Sequence, residues 1–177
     1  MRIISGIHKG RKIIAPQKLP VRPTADRAKE SLFNILRNTY AFNQVNVLDL
    51  FAGTGNISFE FASRGAPAVI AVDENNGCVR FIAETAEKLE MPIETVKSDV
   101  FDYLKFTSQT FDIIFADPPY DFDQSIFLSI ADLVFEKNHL NKGGMLVIEH
   151  GKHTDLSTHP HFNEFRNYGS SAFSFFG

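Results

Sequence analysis

Two clusters of residues have the types and spacing to do chemistry. The first is LDLFAGTGN, residues 48–56, in which Asp49 precedes Gly53 and Gly55. Glycine at a strand-to-helix turn lets the backbone approach a ligand closely, and the helix that follows favours an anionic group at its N-terminus. Asp73 comes 20 residues after Gly53. At the tip of the next strand its carboxylate can accept both hydroxyls of a ribose. A dinucleotide fingerprint would carry a third glycine where Ser58 stands. The pattern D-x-x-x-G-x-G fits S-adenosylmethionine instead, which has no pyrophosphate to cradle. A plain tight turn would account for the glycines, though not for carboxylates before and after them on strand ends.

The second cluster is Asp117-Pro118-Pro119-Tyr120, at the end of the apolar segment FDIIFAD. Consecutive prolines fix an extended loop and remove two backbone donors. What remains is acceptors, the Asp117 carboxylate and the carbonyls, beside an aromatic ring. Such a site suits a planar base carrying an exocyclic NH2 group. A strand-terminating turn is the simpler alternative, but ligands in open α/β sheets bind outside these strand ends.

The elements that must hold these clusters are legible as alternation. Strands are expected at 46–51, 68–73, 92–98, 111–117 and 143–150, and helices at 56–64, 75–90, 100–105 and 124–136. FNEFRNYG and SSAFSFFG read as a closing hairpin turned at Gly169. Almost wholly apolar strands alternating with helices imply a parallel sheet covered on both faces. Ahead of them, ADRAKESLFNILRN places Ala28, Leu32, Ile35 and Leu36 at helical spacing, with Thr24 as its expected N-cap. Residues 1–21 read as short strands and turns. The expectation is one α/β domain over residues 1–177, with a seven-stranded, mostly parallel sheet, an antiparallel C-terminal hairpin strand and a basic extension at 1–21.

Composition narrows the class. Apolar residues make up 44% and charged residues 22% of 177, a globular mix, and no apolar run reaches the roughly 18 residues of a membrane span. No secretory signal is read at the N-terminus, and Cys78 is the single cysteine, so the cytoplasm is expected. The net charge of −3 is split unevenly: residues 1–37 hold nine Lys or Arg against two acids, +7, and the rest of the chain carries −10. A basic arm on an acidic body suits a polyanionic partner gripped from one side, or else a solvated surface. His150, His153, His159 and His161 cluster without a Cys or close carboxylate to complete a ligand set, so no metal is expected. Cys78, in helix 75–90 and read as remote from the strand ends, is not expected to act as a nucleophile.

The chain resembles the class I S-adenosylmethionine-dependent methyltransferases, and among them the RsmD family of small-subunit (16S) ribosomal RNA guanine-N2 methyltransferases. The resemblance is carried by RIISG-x-x-KGRK (Arg2–Lys12), Arg22-Pro23-Thr24 with Asp26-Arg27, ESLFN (Glu30–Asn34), LDLFAGTGN, SRGA (Ser63–Ala66) and DPPY. It implies that Asp49, Gly53 and Gly55, with Phe51 and Asn56 of the same segment, hold the methionine part of the cofactor, and that Asp73 holds its ribose. Asp99 would lie near the adenine amino group, or be only a helix N-cap; Arg22 and Thr24 would help close the site, or be a charged turn and a cap. Asp117 and the Pro118 carbonyl would accept the hydrogens of the target amine while Tyr120 stacks on an extruded base. Arg2, Lys9, Arg11 and Lys12 would bind phosphates. The partner implied is ribosomal RNA or a small-subunit assembly, with no membrane, and the protein is expected to be a monomer. Two alternatives stand beside this reading. A DNA adenine-N6 or cytosine-N4 methyltransferase would share DPPY but commonly adds a target-recognition domain, and a nucleotide-binding module or Rossmann oxidoreductase would lack DPPY.

Overall fold

The computed structural model describes residues 1–21 and 24–177. Its chain order is α1 (Asp26–Leu36), β1 (Asn46–Leu50), α2 (Asn56–Ser63), β2 (Ala68–Asp73), α3 (Asn76–Lys88), β3 (Ile93–Lys97), α4 (Val100–Phe106), β4 (Phe111–Ala116), α5 (Gln124–Glu136), β5 (Leu140–Gly151), β6 (Phe162–Tyr168) and β7 (Ser171–Phe176). The strands form one seven-stranded sheet in the order β3-β2-β1-β4-β5-β7-β6. The first five run parallel, and β7 is antiparallel to both β5 and β6.

The apolar strands still alternate between faces, as strand geometry requires. Val47, Ile113 and Phe115 point into a core beneath α1, α2 and α3. Leu48, Leu50, Ile114 and Ala116 point to the opposite core, beneath α4 and α5. The strand order reverses at β1, which lies between β2 and β4, so the crevice at their C-terminal ends is where a doubly wound sheet binds ligands.

Two expectations are corrected. Thr24 is not the N-cap of α1: Ala25 occupies that position without a side-chain cap, because the Thr24 hydroxyl is drawn to a buried carboxylate on β5. Strand β5 begins at Leu140, where an irregular register with β4 lengthens it past the expected start at 143.

The basic extension at 1–21 is docked, with Ile3 and Ile13 buried in the core beneath α1–α3. An isolated bridge between Arg2 and Lys12 folds it back on itself. The Glu60 carboxylate accepts the backbone N–H groups of Ile4 and Ser5 at 2.9 and 3.0 Å. Ser63 grips the next residues through Ser5 O, Ile7 N and His8 N. Gly6 sits at φ +90° with its missing Cβ 1.8 Å from the Ser63 carbonyl oxygen, so only glycine permits this contact.

Candidate active site

The C-terminal ends of β1, β2 and β4 open into a cavity of about 490 Å³. Its lining includes Asp49, Phe51, Gly53, Asn56, Asp73, Asp99, Asp117, Pro118, Tyr120 and Thr24. Both chemical clusters therefore face one space. Arg22 lies outside the described residues.

Of the two turn glycines, Gly53 is among the lining residues and Gly55 is not. Gly55 caps α2 at φ +82°, and a Cβ there would press to 2.9 Å against Ile82 and Phe59, which excludes a side chain on both counts. The Gly53 N–H donates to Asp73 Oδ2 at 2.8 Å, and Asp73 Oδ1 accepts from the Asn75 N–H at 2.8 Å. Each oxygen has lone-pair capacity beyond one such bond, so the carboxylate is held in place while able to accept two hydroxyls. Phe51, at φ +58°, turns its ring edge-on to Phe101 and Phe122 and supplies an apolar wall.

Asp49 is buried, and its Oδ2 accepts from both the backbone N–H and the hydroxyl of Ser58. Ser58, the residue that replaces the third glycine of a dinucleotide fingerprint, thus serves the acid on β1. Burial pushes the Asp49 carboxyl up to about 7, against the opposing Ser58 bonds, and the Asp73 charge adds to the rise. A cation beside it would favour its ionised form.

Asp99 caps α4 by accepting from Asp102 N at 2.9 Å, and it also lines the cavity. Asn56 lines the cavity too, but its amide is spoken for by neighbours. Its Oδ1 accepts from Lys29 Nζ at 2.8 Å and its Nδ2 donates to the Thr24 carbonyl at 3.0 Å. Cys78 is nearer than its place in the chain suggested. It sits in the first turn of α3 and lines the cavity, yet burial, with Asp73 adding, pushes its thiol up to about 11, so it stays a neutral thiol.

In the DPPY loop, Pro118 is buried, Asp117 and Tyr120 are half-buried and Pro119 is exposed. The Tyr120 hydroxyl donates to Glu149 Oε1 at 2.9 Å and lies 2.8 Å from Ser171 Oγ. Burial, reinforced by Glu149, raises the phenol well above its usual range, so Tyr120 is a neutral ring at working pH.

Sequence reasoning missed three charged residues. Lys29 and Glu60 are buried and 3.3 Å apart, beneath the N-terminal segment, where Arg64 also meets Glu60 at 2.8 Å. Lys29 Nζ further donates to the Arg2 carbonyl at 2.7 Å. One of the nine cations of residues 1–37 is thus internal and unavailable to a partner. The third residue, Glu149 on β5, is buried and accepts the Thr24 hydroxyl at 2.7 Å.

The four cations expected to bind phosphates, Arg2, Lys9, Arg11 and Lys12, are exposed, Arg2 with Asp26 3.5 Å away. The histidines disperse into local roles: His150 pairs with Ser174, His159 with Asp132, and His161 stacks on Phe135. Among the described residues no three His, Cys, Asp or Glu are grouped to hold a metal, and no helix is long and apolar enough to cross a membrane.

A family model described as "Conserved hypothetical protein 95" matches residues 1–177. The chain belongs to this family. A relative, ribosomal RNA small subunit methyltransferase D of Haemophilus influenzae, is 31% identical over 163 residues, covering 89% of this chain and 82% of that protein. The resemblance read from the motifs is therefore upheld across nearly the whole chain. The solved structure of a hypothetical protein of Thermus thermophilus superposes with a TM-score of 0.86 at 27% identity, covering 99% of this chain and 98% of that one. A ribosomal-protein methylase from Lactobacillus delbrueckii subsp. bulgaricus, at 19% identity, shares the fold with a TM-score of 0.64 over 83% of this chain and 76% of its own. The architecture of this family member is the Rossmann-like fold of class I methyltransferases.

Proposed function

We propose that this protein is an S-adenosylmethionine-dependent methyltransferase acting on the exocyclic N2 of a guanine in small-subunit ribosomal RNA. One observation carries the reading: the acceptor-rich DPPY loop lines the same cavity as Gly53 of the glycine turn and Asp73. The family relative named above supports the RNA substrate.

The residues present fit the cofactor. Asp73, already oriented by Gly53 and Asn75, would hold the ribose, and Asp49 beside the turn would face the methionine ammonium. Asp99 in the cavity lining would meet the adenine amino group, with Phe51 and the Gly53 backbone closing around the rest. Thr24, and by resemblance Arg22, would close the site from the α1 side. Bound S-adenosylmethionine supplies an electrophilic methyl group on a sulfonium.

This chain's part is to hold the nucleophile. A guanine amino group is weak because its lone pair is delocalised into the ring. Asp117 and the Pro118 carbonyl accept its two hydrogens, which turns the lone pair toward the methyl donor, and Asp117 takes the proton released on transfer. Tyr120 offers a neutral stacking face and, with its raised phenol, is no base. Positioning and fixed dipoles then supply most of the rate gain. The exposed arm cations hold phosphates without reading sequence. The protein works in this reading as a single cytoplasmic domain and as a monomer.

The test is transfer of labelled methyl to small-subunit RNA and to duplex DNA, followed by digestion to nucleosides. Label in N2-methylguanosine supports the reading, and label in N6-methyladenine or N4-methylcytosine of DNA replaces it. Thermal stabilisation by NAD and not by S-adenosylmethionine would remove both.

A further inference from the structure

Glu149 has no place in the chemistry above, yet its surroundings assign it one. It lies on β5, 2% exposed, in a strand whose neighbours Val147, Ile148 and His150 are wholly buried. A buried carboxylate is kept out of water at a cost, and an apolar side chain would fill such a position without it. Its oxygens are divided between two segments far apart in the chain. Oε2 accepts the Thr24 hydroxyl at 2.7 Å and Oε1 accepts the Tyr120 hydroxyl at 2.9 Å.

Those segments are the approach to α1 and the DPPY loop, and both line the cavity. Within the loop, Pro118 and Pro119 have no N–H to donate. A phenol has one proton and a carboxylate can only accept, so Tyr120 donates to Glu149 and the Ser171 hydroxyl, 2.8 Å away, donates to Tyr120. The ring is thereby held at its far end from two strands, β5 and β7.

We propose that Glu149 is a positioning residue that fixes the plane of the Tyr120 ring and locks it to the Thr24 segment, so that the target base is presented correctly. The inference rests on the reading of Tyr120 as the stacking face for a methylated base. Glu149 is not among the residues lining the cavity; it acts through the hydroxyls of Thr24 and Tyr120.

The experiment compares wild type with Glu149→Leu, Glu149→Gln, Tyr120→Phe and the Tyr120→Phe/Glu149→Leu double variant, reading kcat, KM for RNA and S-adenosylmethionine affinity. Glu149→Leu should lower kcat by about 10–100-fold, the scale of a misplaced reacting group. Cofactor affinity should stay within about threefold, since the interaction is made at the target. Glu149→Gln keeps an acceptor oxygen and should recover at least part of the loss. Tyr120→Phe keeps the ring, loses the tether and should match Glu149→Leu, with the double variant no worse than either. Near-normal kcat in Tyr120→Phe and Glu149→Leu, or additive losses in the double variant, would overturn the proposal. If Glu149→Leu fails to fold, Tyr120→Phe and Glu149→Gln carry the same comparison. A crystal structure of Glu149→Gln or Glu149→Leu gives a readout free of activity: the Tyr120 ring should be displaced relative to wild type in the Leu variant and less so in Gln. An unmoved ring in the Leu variant, or a displaced ring fully tolerated in kcat, counts against positioning. Inactivity of wild type toward guanine would instead strike the proposed function, leaving the ring placement still to be judged.

Discussion

Asp73 and Gly53, 20 residues apart in the chain, are joined by a 2.8 Å hydrogen bond from the Gly53 N–H to Asp73 Oδ2. The bond ties the tip of β2 to the turn after β1, so the carboxylate and the glycine backbone reach the cavity in fixed relation. Asp73→Ala should weaken S-adenosylmethionine by about 1–3 kcal/mol, through lost ribose bonds and a freed turn. Turnover at saturating cofactor should fall much less. Calorimetric titration of cofactor into the variant checks this; unchanged affinity would place the ribose elsewhere.

Asp117→Ala should show the reverse pattern. An interaction made at the reacting amine appears mainly in kcat, so methyl transfer should be abolished while cofactor affinity stays within a few-fold of wild type. Single-turnover kinetics with preformed cofactor complex makes the measurement. Near-normal turnover would remove Asp117 from the chemistry.

The pattern of these two carboxylates is readable in the sequence because each ends an apolar strand, and strand ends are where a doubly wound sheet gathers ligands. Lys29, Glu60 and Glu149 are readable only in part. Lys29 falls on the apolar stripe of α1 with Leu32, Phe33 and Leu36, a spacing that places a cation indoors, and Glu60 sits between Phe59 and Phe61 in a helix buried on all sides. Their partners cannot be deduced that way, since Glu60 anchors the backbone of Ile4 and Ser5 and Glu149 binds Thr24, all pairings set by tertiary folding. The same cause defeats the assignment of Thr24 as a cap: a local propensity yields to a distant carboxylate. The N-terminal segment is too short and polar to form a core of its own, and Ile3 and Ile13 are buried in one that α1 and α2 help to build.

The docked arm gives a salt-dependence prediction. Neutralising Arg2, Lys9, Arg11 and Lys12 should weaken RNA binding and flatten the slope of log K against log salt by about 0.7–0.9 for each phosphate left without its cation. Cofactor affinity should barely change. Gly6→Ala, which cannot keep its close approach to Ser63, should loosen the arm and lower RNA affinity without touching the charges. Titrations at several salt concentrations decide it; equal slopes for wild type and the neutralised protein would make the arm a solvated surface.

Asp49 predicts a pH effect. Its carboxyl holds a proton to about 7 in the folded chain and to about 3.8 when unfolded. Stability from this group is fully present below the unfolded value and is lost as pH rises through the folded one, a few kcal/mol in all. Asp49→Asn, which keeps an acceptor for Ser58, should flatten that decline between about pH 4 and 7 in urea unfolding. Cofactor affinity should rise with pH across the same window in wild type, as the ionised carboxylate meets a cation, and stay level in the variant. A wild-type affinity independent of pH would show that Asp49 does not face the ammonium.

The central claim is the identity of the methylated atom. Mass mapping of nucleosides in small-subunit ribosomal RNA, from cells with and without this protein, tests it most directly. The account predicts that one N2-methylguanosine disappears in its absence and returns with wild type but not with Asp117→Ala. An unchanged set of N2-methylguanosines, or loss of a different modified nucleoside, would contradict it.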